Sequence, residues 1–179
     1  MPLHLGILQT DSVLEDLQPR FGDYPSMFEG LFRAEDPTMS FTTYNVQDAL
    51  PDNLDCDAYL ITGCKLSVYD DLPWIRELAE FVRQAIAAKK KILGICFGHQ
   101  ILAQALGGTV EKFSGGWSFG PVEYRFREGP AQTIVAVHPD QVTALPKDAT
   151  VIAVIGAWTA APPSKPRRSA RGRWSTTGS

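Results

Sequence analysis

Apolar and polar residues alternate along the chain in blocks that predict strands followed by helices. Residues 3–9 form a short apolar run that ends in a polar turn, and residues 39–46 and 58–62 have the pattern of two further strands. Residues 21–32 carry apolar side chains at helical spacing. A longer helix is predicted from Pro73, because proline suits a first helical turn and apolar residues then recur every three or four positions. The stripe expected to face the sheet consists of Ile75, Leu78, Ala79, Val82, Ala85 and Ile86.

The alternation continues through the second half of the chain. Residues 92–95 are predicted to form the central strand and residues 100–106 the helix that follows it. Further strands are predicted over residues 122–126 and 133–137, and another over residues 150–154. This order predicts an α/β fold in which a mainly parallel sheet has helices on both faces and a site lies at the carboxyl ends of the strands.

The sequence around Cys96 predicts a sharp strand-to-helix turn. Residues 94–100 read GICFGHQ, which places one glycine two residues before the cysteine and another two residues after it. Glycines are expected there because a side chain would collide where the backbone folds back to present a nucleophile. The turn would also bring Cys96 to a helix N-terminus, whose N–H groups favour the thiolate. The alternative interpretation is a buried cysteine in an ordinary glycine-bounded turn.

Composition limits the range of functions. A chain of 179 residues with 44% hydrophobic content suits one core, so a single domain is expected. The three cysteines have neither metal-ligand nor disulfide spacing, which favours a reducing, cytoplasmic location and no metal site. No apolar run approaches the ~20 residues of a membrane span, and no phosphate or dinucleotide loop occurs, so we expect no membrane association and no cofactor.

Charge separates the last residues from the rest of the chain. After residue 153 the sequence contains five basic residues and no acid, although the whole chain carries a net charge of −3. We therefore expect an α/β domain over residues 1–153 and an atypical basic tail over residues 154–179, rich in Pro, Ser and Arg and disordered. Clustered basic residues can bind nucleic acid, but the tail lacks interleaved aromatic residues, so no nucleic-acid partner is predicted.

Three segments resemble the class I glutamine amidotransferase domain. Residues 94–100 fit its pattern G-x-C-x-G-x-Q, residues 57–69 resemble its strand and oxyanion loop, and residues 137–142 (VHPDQV) resemble a loop beside its glutamine pocket. The resemblance extends over residues 3–153. It implies a flavodoxin-like fold and hydrolysis of the glutamine side-chain amide to glutamate and ammonia through a thioester.

The resemblance also implies roles for particular residues. Cys96 would be the nucleophile. The backbone amides of Phe97 and of Gly63 or Cys64 would stabilise the oxyanion, a role in which the side chain matters little.

Two residues are expected at the substrate. The amide of Gln100 would hold backbone groups of glutamine or of another γ-glutamyl compound, and His138 would border the pocket. The alternative for Gln100 is a helix residue that faces solvent.

The chain departs from the family pattern at the catalytic base. Its three histidines are His4, His99 and His138, and no glutamate follows Glu128, so the histidine and glutamate of the family have no matching positions. His138 is a candidate substitute base, whereas His99 should turn away from Cys96. We expect impaired catalysis, and we hypothesise that the C-terminal part of the domain is missing or replaced because the reading frame diverges near Val154.

Several functions remain open from the sequence. The first is a glutamine amidotransferase-type enzyme, whose ammonia would pass to a synthase partner. The second is a non-catalytic module that binds glutamine or a protein. A third is a related cysteine peptidase or γ-glutamyl hydrolase.

Overall fold

The computed structural model describes residues 2–155, and its centre is a four-stranded sheet. The strands are β1 (His4–Gln9), β2 (Ser40–Asn45), β3 (Ala58–Ile61) and β4 (Lys91–Gly94). Their order is β2-β1-β3-β4, and every neighbouring pair is parallel. The carboxyl ends of all four strands therefore lie at one edge of the sheet, as the sequence predicted for the site.

Within residues 2–155 four helices accompany the sheet: α1 (Gln18–Phe21), α2 (Tyr24–Glu35), α3 (Pro73–Ala87) and α4 (Phe97–Ala105). The helix α4 begins three residues earlier than its pattern indicated, since Gly98 interrupts the apolar periodicity of its first turn. The helix α2 begins after Asp23, whose carboxylate accepts the Tyr24 N–H in a capping box.

The helices cover both faces of the sheet. On one face, Phe28 and Phe32 of α2 pack against Leu5, Ile7 and Leu60. On the other face, α3 and α4 pack against the sheet through a larger buried cluster that contains Leu8, Tyr59, Ile61, Leu78, Val82, Phe97 and Ile101. This arrangement confirms the predicted α/β class.

One position of the predicted α3 stripe is wrong. Ile86 is 42% exposed, whereas Phe81 is buried and its ring meets the Tyr59 ring edge-on at a centroid distance of 5.1 Å. The apolar face of α3 includes Phe81 because this residue packs on Tyr59 of β3. The spacing of apolar residues along α3 does not predict this contact with another element.

Between α4 and residue 155, where the described part ends, lie five more strands: β5 (Thr109–Lys112), β6 (Ser118–Phe126), β7 (Gln132–His138), β8 (Asp140–Ala144) and β9 (Ala153–Ile155). Strands β5 and β8 pair antiparallel, and a separate sheet has the order β7-β6-β9. The sequence did not predict β5 and β8, because each is short and too few of its side chains are buried to give a visible alternation.

Contacts divide the described chain into two compact units. The first contains residues 2–119 with residues 136–150, and the second contains residues 120–135 with residues 151–155. From residue 156 onwards, the basic tail predicted for residues 154–179 lies outside the described residues. In the part that is described, no helix is both long and apolar enough to cross a membrane.

Candidate active site

Cys96 occupies the sharp turn between β4 and α4. Its backbone has φ 53°, which a non-glycine residue seldom adopts. A Cβ on Gly94 would lie 2.4 Å from the carbonyl group of Gly98, and a Cβ on Gly98 would lie 2.3 Å from the carbonyl oxygen of Ile61. Both flanking glycines are therefore required by close backbone contact, as the elbow interpretation predicted.

Cys96 as a whole residue is exposed, which disagrees with the alternative of a cysteine buried in an ordinary turn, although its sulfur is partly shielded from water. Its protonation differs from the sequence expectation. The pKa of the Cys96 thiol is raised, mainly because the fold removes water from around the sulfur. The Phe97 N–H lowers this pKa, and the negative charge of Asp140 raises it. The helix N-terminus thus does not outweigh desolvation and a neighbouring carboxylate.

The predicted oxyanion donors surround the cysteine. A Cβ built on Gly63 would lie 3.6 Å from the Cβ of Cys96, so the loop after β3 borders the elbow. Phe97 is fully buried as the first residue of α4, and its backbone N–H lowers the pKa of the Cys96 thiol. In residues 2–155 the N–H groups of Gly63 and Cys64 have no hydrogen-bond acceptor. Gly63 and Cys64 therefore offer two backbone donors without an acceptor on the loop that borders Cys96.

A cavity of about 540 Å³ opens beside Cys96, within the size range of small-molecule sites. It is formed by the loops after β1, β3 and β4 together with the start of β8. Its lining includes Asp11, Tyr24, Gly63, Cys64, Cys96, Gln100, Trp117, His138 and Asp140. Trp117, which follows the Gly115-Gly116 turn, also contributes to the cavity wall.

Asp140 is the cavity residue whose role sequence reasoning missed. It is 3% exposed, and its carboxylate accepts hydrogen bonds from the Ser67 hydroxyl at 2.6 Å and the Tyr69 hydroxyl at 2.8 Å. No cationic side chain of residues 2–155 forms a salt bridge with it. A buried carboxylate that lacks a cation beside a cavity favours a positively charged ligand group. An acidic residue directly after His138-Pro139 in a pocket-like segment was the available signal.

Gln100 and His138 converge on the same backbone atom. The Gln100 Nε2 donates to the Asp140 carbonyl oxygen at 3.0 Å, and the His138 Nδ1 lies 2.9 Å from that oxygen. Gln100 is 6% exposed, so the alternative in which it faces solvent is wrong. Both side chains reach the cavity and also fix the position of Asp140.

No histidine of residues 2–155 forms a hydrogen bond with the Cys96 thiol. His99 lies outside the residues that line the cavity, and desolvation, with a contribution from His138, lowers its pKa. The His4 Nε2 lies 2.9 Å from the Thr42 hydroxyl oxygen, in β1 and away from the cavity, so His4 has a structural role. The described part also contains no group of three or more His, Cys, Asp or Glu side chains that could hold a metal ion.

A parallel α/β sheet with a cysteine elbow beside an open cavity defines the class of fold and site. The sequence profile of class-I glutamine amidotransferases matches residues 34–157, which is more than half of the chain. The chain therefore belongs to the class-I glutamine amidotransferase family, and its fold is flavodoxin-like.

Two curated relatives illustrate its position in the family. The chain is 31% identical over 131 residues to a glutamine amidotransferase-like protein of Schizosaccharomyces pombe, in an alignment that covers 65% of this chain and 53% of that protein. It is 32% identical over 164 residues to gamma-glutamyl peptidase 3 of Arabidopsis thaliana, in an alignment that covers 78% of this chain and 62% of the peptidase. The chain thus spans between half and two thirds of the length of these relatives.

Solved structures agree on the fold. A glutamine amidotransferase from Thermotoga maritima superposes with a TM-score of 0.70 at 18% identity, and the match covers 86% of this chain and 67% of that protein. A glutamine amidotransferase from Methylobacillus flagellatus superposes with a TM-score of 0.62 at 23% identity, and the match covers 81% of this chain and 58% of that protein. At these identities the likeness shows the fold.

Proposed function

We propose that this protein uses Cys96 to cleave the amide bond of γ-glutamyl compounds, of which glutamine is the smallest. The observation that carries the proposal is the exposed Cys96 at an elbow, beside the unpaired amides of Gly63 and Cys64 and a cavity that contains the buried carboxylate of Asp140. Relatives named as glutamine amidotransferase-like proteins and as gamma-glutamyl peptidases support hydrolysis at a γ-glutamyl carbonyl.

The chemistry has two steps. The Cys96 sulfur forms a bond to the γ-carbonyl carbon, the oxyanion is held by the amides of Phe97 and of Gly63 or Cys64, and the C–N bond breaks as the thiol proton passes to the leaving nitrogen. Glutamine releases ammonia, and a γ-glutamyl peptide releases its amine. Water then cleaves the thioester, which restores the thiol and yields a γ-carboxylic acid.

Asp140 is proposed to bind the α-ammonium group of the γ-glutamyl substrate. Its carboxylate already accepts two hydroxyl groups and lies near enough to raise the pKa of Cys96. An ammonium group would supply the missing cation and would neutralise the charge that opposes thiolate formation. Substrate binding and nucleophile activation would then be coupled through one carboxylate.

Turnover is proposed to be slow. Among residues 2–155 no imidazole forms a hydrogen bond with the thiol, and the thiol pKa is raised, so the thiolate is a minor species near neutral pH. His138 is the proposed substitute base because it lines the same cavity as Cys96.

The test measures ammonia released from glutamine and p-nitroaniline released from γ-glutamyl p-nitroanilide. Wild-type protein should release both, Cys96→Ala should release neither, and Cys56→Ala, which removes a thiol from the core, should keep the wild-type rate. Equal rates for wild type and Cys96→Ala would refute the hydrolase.

A second function is a non-catalytic module that binds glutamine. The observation in its favour is the raised thiol pKa, together with the fact that no histidine of the described residues forms a hydrogen bond with the Cys96 thiol. A rise in the melting temperature of the protein on addition of glutamine, without measurable amide cleavage, would support this function. Release of ammonia that depends on Cys96 would exclude it.

The setting of the reaction is also proposed. The free state of Cys56, Cys64 and Cys96 agrees with a reducing compartment such as the cytoplasm.

A synthase that receives the ammonia is the proposed partner if glutamine is the substrate. Co-purification of a tagged chain from its native cells would identify such a synthase, and free release of all ammonia into solution would argue against one.

A further inference from the structure

We propose that Thr10 is a positioning residue, which turns the Cys64 N–H into the cavity so that this amide serves as an oxyanion donor. The inference rests on the proposed γ-glutamyl chemistry and names the residue that holds its oxyanion loop. Thr10 follows β1 and is fully buried, and it is not among the residues that line the cavity. It would act through the loop without touching substrate.

Thr10 and Thr62 form a buried pair of hydroxyl groups between the ends of β1 and β3. Both side chains have no exposed surface. The Thr10 N–H donates to the Thr62 hydroxyl at 2.9 Å, and the two hydroxyl oxygens are 3.0 Å apart. The Thr10 hydroxyl has two carbonyl acceptors, the Gly63 oxygen at 2.9 Å and the Thr62 oxygen at 3.1 Å, of which Gly63 is the nearer. The Thr62 hydroxyl lies 3.3 Å from the Gly63 carbonyl oxygen. The Gly63 carbonyl is thus held by a network of buried hydroxyl groups.

Because the peptide group is planar, the hydrogen bonds to the Gly63 carbonyl also fix the direction of the Cys64 N–H. In a trans peptide the C=O and the following N–H point in opposite directions. The Gly63 C=O points towards the buried Thr10, so the Cys64 N–H points the other way. Because Gly63 and Cys64 line the cavity and Thr10 does not, this direction leads to the cavity. The Cys64 N–H has no acceptor within residues 2–155, so it is available to donate to an oxyanion.

A second contact fixes the other side of Cys64. The Lys65 N–H donates to the Asp11 carboxylate at 3.1 Å, and the Lys65 ammonium lies 3.4 Å from the other oxygen of that carboxylate. Two consecutive residues after β1 therefore hold the peptide groups before and after Cys64. Since β1 and β3 are adjacent and parallel, these loops leave the sheet side by side.

The proposal predicts a specific difference between two substitutions. Thr10→Val keeps the branched shape but removes the donor to the Gly63 carbonyl, whereas Thr10→Ser keeps the hydroxyl. The matched control is Thr42→Val, which removes a half-buried threonine hydroxyl that pairs with His4 at the opposite end of the sheet. A general effect of losing a threonine hydroxyl would appear in the control as well.

The first measurement is independent of activity. The residual dipolar coupling of the Cys64 N–H bond reports its orientation relative to the amides of the sheet. Thr10→Val should change this coupling, and Thr10→Ser and Thr42→Val should leave it at the wild-type value. An unchanged coupling in a folded Thr10→Val protein would overturn the proposal, even if the wild-type protein proves to have no hydrolase activity.

The second measurement separates oxyanion formation from thiol reactivity. Acylation of Cys96 by γ-glutamyl p-nitroanilide passes through an oxyanion, whereas alkylation by iodoacetamide displaces iodide and forms none. Thr10→Val should lower the acylation rate constant about 10- to 100-fold with little change in KM, because an oxyanion donor acts on the transition state. Alkylation should stay within about 2-fold of wild type, and Thr10→Ser should restore acylation.

The outcomes distinguish this inference from the proposed function. Absence of acylation in the wild type would refute the hydrolase, while the dipolar coupling would still decide the role of Thr10 in orientation. A changed coupling in Thr10→Val with an unchanged acylation rate would overturn the catalytic part of the inference. Equal losses of acylation and alkylation would overturn it too, because they would place the defect in the thiol.

Discussion

At the scale of single residues, neighbouring groups have opposite effects on the pKa of the Cys96 thiol. Desolvation and the Asp140 carboxylate raise its thiol pKa, while the Phe97 N–H at the start of α4 favours the thiolate. The result is an accessible thiol that is protonated more often than an ordinary cysteine at neutral pH. Reactivity at this residue therefore depends on what neutralises Asp140 or removes the proton.

The first prediction concerns the pH dependence of Cys96 alkylation. Because the folded pKa is raised, the thiolate fraction and the rate with iodoacetamide should keep rising above about pH 8.5, where an unperturbed thiol is half ionised. Mass spectrometry of the modified peptides separates Cys96 from Cys64, whose pKa is raised to about 11 mainly by burial, and from the buried Cys56. A rate that reaches its plateau below pH 8 would contradict the raised pKa.

The second prediction concerns charge recognition by Asp140. Asp140→Asn keeps an acceptor for the hydroxyl groups but removes the negative charge, so the Kd for glutamine should rise about 10- to 100-fold, the range of one charged hydrogen bond. Calorimetric titration with glutamine and with Nα-acetylglutamine provides the control, because the acetylated ligand has no ammonium group. Wild type should prefer glutamine and Asp140→Asn should not. The same preference in both proteins would show that Asp140 does not bind the ammonium.

At the level of elements, the turn between β4 and α4 depends on close backbone contact. The first turn of α4 lies against the end of β3, where Gly98 meets the Ile61 carbonyl, and Gly94 meets Gly98. The strand and helix can approach this closely because neither glycine has a Cβ. The position of Cys96 above the sheet edge is a consequence of this approach.

The third prediction uses two glycines as a matched pair. Gly98→Ala should lower the free energy of unfolding by at least about 2 kcal/mol, because its Cβ would overlap the Ile61 carbonyl. Gly30→Ala, in the exposed interior of α2 with no atom within 4 Å of the new Cβ, should raise it by about 0.5–1 kcal/mol. Urea unfolding measures both values. A loss of stability in Gly30→Ala similar to that in Gly98→Ala would argue against the close-contact explanation.

At the level of the whole molecule, the sheet is unevenly covered. Leu60 on β3 and Leu93 on β4 are register partners on the same face, yet Leu60 has no exposed surface and Leu93 is 47% exposed. Phe28 and Phe32 of α2 cover the first of these strands, and within residues 2–155 β4 pairs with β3 alone. The apolar contribution to stability is therefore concentrated around β1 and β3.

The fourth prediction compares these two leucines. Leu60→Ala should lower the free energy of unfolding by about 2–5 kcal/mol, because truncation of a fully buried leucine loses apolar contacts and leaves a cavity. Leu93→Ala should cost less than half as much, because much of its side chain already contacts water. Urea unfolding followed by circular dichroism measures the difference. Similar losses for both variants would show that the face at β4 is covered in solution.

Local patterns in the sequence determined the elements and the elbow. The apolar run of β4, the two glycines around Cys96 and the stripe of α3 are set by residues within a few positions of each other, so their order predicts a strand, a turn and a helix. The parallel sheet follows from that alternation. The boundary of α4 and the strands β5 and β8 were not predicted, because glycine and short half-exposed segments weaken the periodic signal.

Only the tertiary structure decided how the site is held and charged. Thr10 meets Thr62 across 52 positions, and Ser67 donates to Asp140 across 73 positions, so no local pattern specifies either contact. The protonation of Cys96 depends on how much water the folded chain removes from the sulfur and on the distance to Asp140. The sequence determined which residue could act as a nucleophile, whereas desolvation and long-range hydrogen bonds, which exist only in the folded chain, decided its chemical state.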